Sequence, residues 1–228
     1  LAQAFPLLAG LGDQVLRVES KSRIWEMSRI GMKGKRGEGE GYLVIGHDVT
    51  ERVGLVETLE KMTRVDMLTG LLNRHSWDLA VNMELSDLAR HERYGSIIYL
   101  DLDHFKEIND IYGHAVGDSV LRTLASVLKE GVRGPDLVGR YGGEEFVIFL
   151  PETSPETALE VAERLRLNLM KSSIADLGPD VSITGSFGVA GELVSAETRL
   201  EELLSRADRA MYRSKEYGRN RVTMGTGT

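Results

Sequence analysis

Apolar positions along this chain follow two rhythms. Short β-rich runs at 96–101, 146–150 and 181–189 have the length of buried strands, and 138–150 reads as a hairpin. Between them, helical spacing predicts helices over 76–94, 117–129, 153–170 and 199–217. In the second of these, Val120, Leu121, Leu124 and Val127 fall at core spacing, and Thr153 or Ser154 suits the cap of the third. The alternation runs from Asp66 to about Val222. It predicts an α/β fold of the α+β kind, a sandwich with helices packed over a mainly antiparallel central sheet.

The first third of the chain has a different pattern. Residues 1–47 hold a helical-looking start and two strand-like runs, 23–32 and 41–47, separated by a glycine-rich charged loop. Residues 48–65 read as a helical stalk, which Asp48 with Glu51, or Thr50 alone, can cap. Leu55, Leu59 and Met62 form a short coiled-coil-like seam along it, weakened by Gly54. Three regions are therefore expected, at 1–47, 48–65 and 66–228.

Composition narrows the function classes. The 228 residues are 42% hydrophobic and 28% charged, enough for a real core and a soluble surface. No apolar stretch approaches the ~20 residues that span a bilayer, and 1–11 lacks the basic start of a signal peptide. No membrane contact is expected from this segment. The chain does not open on Met, so a fragment of a longer protein is expected. With Cys 0, thiolate and disulfide chemistry are excluded and a cytoplasmic setting is expected. A net charge of −7 argues against nucleic-acid binding.

The candidate chemistry centres on Arg140-Tyr-Gly-Gly-Glu-Glu-Phe146. Gly142 and Gly143 are expected to let a hairpin turn take positive φ and to admit a ligand close to the backbone. Glu144 and Glu145 on that turn suit a hard divalent cation. Asp101 ends an apolar strand, a costly place for a carboxylate without a cation or donors. One acid from a strand end and one from a hairpin can hold two metals roughly 3.5–4 Å apart for phosphoryl transfer. From the residues alone, other readings stay open. The hairpin acids could be solvated, and Asp101 and Asp103 could cap a helix. Lys106, Lys215 and Arg219 could form a solvated face, and Phe105 could pack in the core. Asp118 could cap the helix after Gly117, Asn109 could serve a turn and His114 could lie free on the surface. Arg133-Gly-Pro-Asp136 precedes Gly142 by six residues, and Pro135 there is expected to turn both flanking charges outward.

Several motifs share one resemblance. Gly142-Gly-Glu-Glu-Phe146 resembles the signature of the GGDEF family, the diguanylate cyclases. Asp66-Met-Leu-Thr-Gly-Leu-Leu-Asn-Arg74, residues 99–118, Ser186-Phe-Gly-Val-Ala190 and the segment 207–222 resemble its other motifs, in order. The resemblance implies a palm-like nucleotide-cyclase fold and Mg²⁺-dependent (or Mn²⁺-dependent) condensation of two GTP to cyclic di-GMP at the interface of a homodimer. It implies metal binding by Asp101, the Leu102 carbonyl and Glu144, supported by Glu145, with Glu144 also as proton acceptor. It further implies that Phe105 lies in a phosphate-cradling turn and that Lys106, Lys215 and Arg219 meet phosphate. Asn109, His114 and Asp118 would face the nucleoside, with Asp118 favouring GTP over ATP. Arg133 and Asp136 resemble the family's inhibitory product site. Residues 41–52 are similar to the last strand and exit of a PAS sensory domain, so 1–47 is expected to be part of one. A catalytically silent domain that only binds GTP or cyclic di-GMP is the alternative, and retention of both hairpin acids speaks for the active form.

Overall fold

The computed structural model of the chain describes residues 16–20, 23–33, 40–53, 64–172, 174, 177 and 181–225. The chain divides into two compact units, Leu1–Met62 and Thr63–Thr228.

In the first unit, β1 (Leu16–Ser20), β2 (Arg23–Lys33) and β3 (Glu40–Asp48) form an antiparallel sheet in that order. Two of these strands are the runs expected from sequence. The third, β1, is too short for its pattern to separate strand from helix. The helical start expected before it, at 1–15, lies outside the described residues. After β3, Asp48 Oδ1 accepts from the Thr50 N–H at 3.1 Å, and a helical turn begins with Val53 N donating to Val49 O at 2.9 Å. Asp48 therefore provides the cap, while the Thr50 hydroxyl accepts from Ile24 N at 2.9 Å. Leu55, Leu59 and Met62 lie outside the described residues. Arg64 and Val65, expected in the stalk, belong instead to the second unit: Asn73 N donates to Arg64 O, and Val65 bridges Leu72.

The second unit is a six-stranded sheet with helices on both faces. Its elements are β4 (Leu72–Asn73), α1 (Arg74–Arg90), β5 (Tyr94–Leu102), α2 (Phe105–Tyr112), α3 (His114–Glu130), β6 (Leu137–Arg140), β7 (Glu145–Pro151), α4 (Pro155–Lys171), β8 (Gly185–Leu193), α5 (Leu200–Glu216) and β9 (Val222–Met224). The strand order is β4-β6-β7-β5-β8-β9, antiparallel except for the short edge pairs β4–β6 and β8–β9. This is the mixed α+β arrangement that the alternating pattern predicts. Asn73 caps α1 by accepting from Ser76 N, and Ser154 caps α4 with Pro155 in its first turn.

β5 sits at the centre, and both of its faces are buried. Ile98, Leu100 and Leu102 pack with Leu124, Leu128, Leu165 and Leu169 under α3 and α4. Ile97 and Tyr99, on the opposite face, pack with Trp77, Val81, Ala207 and Met211 under α1 and α5. This two-sided burial explains the unbroken apolar run, since a strand with one wet face would alternate. Gly188 on β8 lets α5 lie directly against the sheet: a Cβ there would overlap Ala207 O and Met211 N.

Candidate active site

Strand register assembles the acids. Asp101, near the end of β5, pairs with Glu145 on β7 and with Ser186 on β8. With side chains alternating along a strand, Asp101 follows Tyr99 onto the α5 face. There Lys215 Nζ of α5 stands 2.8 Å from Asp101 Oδ1. That oxygen is buried, and the ammonium of Lys215 is the cation against it. Burial raises the Asp101 pKa, Lys215 opposes the rise, and Asp103 and Asp208 add to it. Glu144 is raised as well, by burial first and then by the charge of Asp101, again with Lys215 opposing. A backbone bond from Leu102 N to Glu144 O, 3.3 Å, ties the hairpin to the strand end.

The hairpin differs from expectation. Neither Gly142 nor Gly143 takes a positive φ. The turn is closed instead by Tyr141 N and Gly142 N, which both donate to Glu145 O at 2.8 and 3.3 Å. Gly142 is needed for space, because a Cβ there would overlap the Glu145 carboxylate. Nothing lies within 4 Å of where a Gly143 Cβ would be, so that position is open to an approaching ligand. Tyr99 OH donates to Glu145 Oε1 at 3.3 Å. Burial, then the charges of Glu145 and Asp208, push the Tyr99 phenol upward and keep it a donor.

Asp103, beside the acids in sequence, has a different task. Its carboxylate accepts from Ser186 Oγ at 2.7 Å, Thr184 Oγ1 at 2.8 Å and Asn220 N at 3.0 Å. It therefore caps no helix. It joins the end of β5 to the start of β8 and to the turn after α5. In that turn Gly218, Arg219 and Asn220 all take positive φ, an uncommon conformation for the two non-glycine residues, and Arg219 is exposed. His104 is also left-handed and opens α2, where Phe105 is buried and Lys106 is exposed. Asn109 rests on Gly117, where a Cβ would overlap its Oδ1. Gly113, with φ 84°, precedes α3, so His114 is its first residue and exposed. Asp118 consequently lies in the second turn of α3 and is not its cap, contrary to that reading.

Arg133 and Asp136 meet each other rather than both pointing outward. The Asp136 side chain is 2% exposed and accepts from Arg133 N at 2.7 Å, while Arg133 remains 62% exposed. Arg133 Nη2 also donates to Thr153 Oγ1 at 2.8 Å.

The structure thus brings Asp101, Glu144, Glu145 and Lys215 together, with Asn109 and Asp118 on the helices that follow β5. Arg133 and Asp136 stand apart, at the other end of β6. Sequence reading missed Arg140 and Asp66. Arg140 donates to both Asp66 oxygens and to the Gly143 carbonyl, fixing the hairpin tip. Both residues lie in motifs already singled out, and opposite charges at two such motifs were the available signal.

Among the described residues, no three carboxylate or imidazole side chains converge as a metal cage. The donor set still fits Mg²⁺, which takes one or two carboxylates and completes its shell with water and substrate phosphate. The buried Asp101 carboxylate, with the Glu144–Glu145 hairpin beside it and Lys215 against one oxygen, is the observation that favours such a fit. Asp101, the Leu102 carbonyl and Glu144 would hold the ion, with Glu145 supporting them.

A two-sided sheet with an acid-bearing hairpin beside a central strand end is an arrangement that the fold alone does not assign to a family. Comparison with known families specifies which: the profile for "Diguanylate cyclase, GGDEF domain" matches residues 63–221, and the chain belongs to that family. It is 44% identical over 181 residues to diguanylate cyclase DgcM of Escherichia coli strain K12, covering 79% of this chain and 43% of that protein. It is 39% identical over 170 residues to diguanylate cyclase A of Treponema denticola, covering 73% and 45%. The chain therefore spans less than half the length of these curated relatives. Among solved structures, the GGDEF domain of DgcB from Caulobacter crescentus, in complex with c-di-GMP, superposes with a TM-score of 0.67 at 32% identity, covering 72% of this chain and 96% of that one. The active GGEEF domain of a diguanylate cyclase from Vibrio cholerae gives 0.64 at 32% identity, covering 69% and 99%.

Proposed function

We propose that the chain carries a diguanylate cyclase that joins two GTP molecules into cyclic di-GMP and releases two pyrophosphates. The observation that carries this is buried Asp101 at the end of β5, against Lys215 and directly opposite Glu145, with Glu144 tied to the same strand end through Leu102 N. A bound Mg²⁺ or Mn²⁺ would offset phosphate charge and polarise the reacting phosphoryl group. The 3′-oxygen of one nucleotide forms a bond to the α-phosphorus of the other. The bond from that phosphorus to the β-phosphate bridge breaks, and pyrophosphate leaves. Glu144 takes the hydroxyl proton, a task suited by a carboxylate whose proton affinity burial has raised. Lys106, Lys215 and Arg219 meet phosphate, and Phe105 anchors the turn that carries Lys106. Asn109, His114 and Asp118 face the nucleoside.

Each chain supplies one nucleotide site, whereas the product is a symmetric ring of two guanylates. Two chains must therefore bring their sites together, as a two-fold homodimer does. Exposed Arg133 would hold cyclic di-GMP as an inhibitory product, as the forked donor, with buried Asp136 fixing its position. The first unit would be part of a PAS-like sensor, a reading supported by the strand β3 and its Asp48-Val-Thr50 exit. The setting would be cytoplasmic. Among the described residues, no helix is long and apolar enough to cross a membrane.

Turnover of GTP by the purified protein with Mg²⁺, followed by chromatography of the product, tests the reading. Glu144→Gln keeps size and removes charge, so cyclic di-GMP formation should fall by about two orders of magnitude or more. Near-normal activity in that variant would sink the assignment.

A further inference from the structure

The ring of Tyr99 packs in the core, but its hydroxyl has no place in the roles assigned above. It lies on β5 two residues before Asp101 and is buried on the α5 face. Its ring meets Tyr141 edge-on, centroids 5.8 Å apart, and Tyr141 in turn meets Trp77 at 5.9 Å. Trp77 is fixed by donating Nε1–H to Leu137 O at 2.9 Å, and the Arg74 guanidinium covers the Tyr141 ring at 4.5 Å. These contacts leave the Tyr99 ring one place to stand. From there its hydroxyl reaches Glu145 Oε1, 3.3 Å away.

Glu145 needs such a partner. It stands directly opposite Asp101 across an antiparallel pair, where like charges repel. Its other carboxylate oxygen lies against Gly142, in space that only a glycine leaves free. The carboxylate thus has a donor at one oxygen and room for the other beside Gly142.

We infer that Tyr99 is a positioning residue for divalent-cation binding, holding the Glu145 carboxylate in place beside Asp101. The inference rests on the cyclase reading for the location of the cation, but its test does not require turnover. Tyr99 touches no substrate. It acts through Glu145, as partners of metal-ligating carboxylates do in metal sites generally, where losing one weakens metal affinity by tenfold or more. A long neutral-donor bond belongs at the lower end of that range.

Tyr99→Phe removes only the hydroxyl and keeps the aromatic contacts with Tyr141. Mn²⁺ binding to the full chain, with a non-reactive GTP analogue bridged by methylene between the α- and β-phosphates, is measured by electron paramagnetic resonance and calorimetry. The expected result is Mn²⁺ affinity weaker by about tenfold, with an unchanged melting temperature for the metal-free protein. In turnover assays, the Mg²⁺ concentration for half-maximal rate should rise by a similar factor while kcat at saturating metal stays close to the parent value. Equal Mn²⁺ affinity in Tyr99→Phe and parent would overturn the inference, even if the protein is an active cyclase. Weakened Mn²⁺ binding in a protein without cyclase activity would instead uphold the positioning role and remove the proposed reaction.

Discussion

Arg140 reaches both carboxylate oxygens of Asp66, at 3.2 Å each, and holds the Gly143 carbonyl with its remaining nitrogens, at 3.1 and 2.7 Å. One guanidinium thereby fastens the tip of the acid-bearing hairpin to the loop that precedes α1. Only 16% of the Arg140 side chain and 24% of Asp66 are exposed, so water screens the pair poorly. Arg140→Ala should cost about 2 kcal/mol, the scale of charged hydrogen bonds left unmade. Urea melts measure the loss. Turnover should fall further than stability alone accounts for, because the hairpin carries Glu144.

The acids of the site titrate in opposite directions from this clamp. For Asp66, burial raises the pKa, but bonds from Thr69 and Arg140 outweigh it and hold the group below its ordinary 3.8. Its stabilisation is present above that value and lost as pH falls through the lower, folded value. Asp101 and Glu144 are raised, chiefly by burial. Their contribution is present below the ordinary values of 3.8 and 4.5 and lost as pH rises through the folded ones. A cation reverses that penalty, because its ligands must be ionised. The melting temperature gained on adding Mn²⁺ should therefore grow as pH rises from the ordinary values of 3.8 and 4.5 through the higher folded ones. A gain that stays constant across this range would remove Asp101 and Glu144 from the ligand set.

The adjacent glycines should separate under the same substitution. Gly143→Ala adds a carbon with nothing within 4 Å, so stability should change by less than about 0.5 kcal/mol. Its effect should appear in GTP affinity, read by titration. Gly142→Ala places a carbon against the Glu145 carboxylate, which must turn away from Tyr99. That variant should bind Mn²⁺ as weakly as Tyr99→Phe while remaining folded by circular dichroism.

Asp103 gathers two hydroxyls and one backbone N–H although it is only 4% exposed. Asp103→Ala strands all three donors, and a loss of about 3 kcal/mol is expected. Because Asn220 is one of the three, the neighbouring Arg219 should lose its fixed position as well. Hydrogen exchange confined to 217–221 would check this, and protection unchanged there would show that the turn stands without Asp103.

Much of the second unit was legible in the sequence because its signals are local. Helical spacing and the Ser154 cap fixed α4 within two residues, and the two-sided burial of β5 appears as an uninterrupted apolar run. The acids were legible because carboxylates beside glycines and at an apolar strand end are costly without a purpose. What escaped depended on distance along the chain. Asp66 and Arg140 are 74 residues apart, and no periodicity links them. Asp103 looked equivalent to Asp101 because only the fold delivers Thr184, Ser186 and Asn220 to one and Lys215 to the other. The glycine pair was read as torsional freedom, whereas Gly142 serves as room for a neighbouring carboxylate.

The central strand gives the domain an unusual economy with a long-term effect. β5 is core on both faces, and the same few residues carry Tyr99, Asp101 and Leu102. Most substitutions there disturb packing and the site together, and only a change as small as Tyr99→Phe separates the two. Selection on either property therefore holds the strand in place.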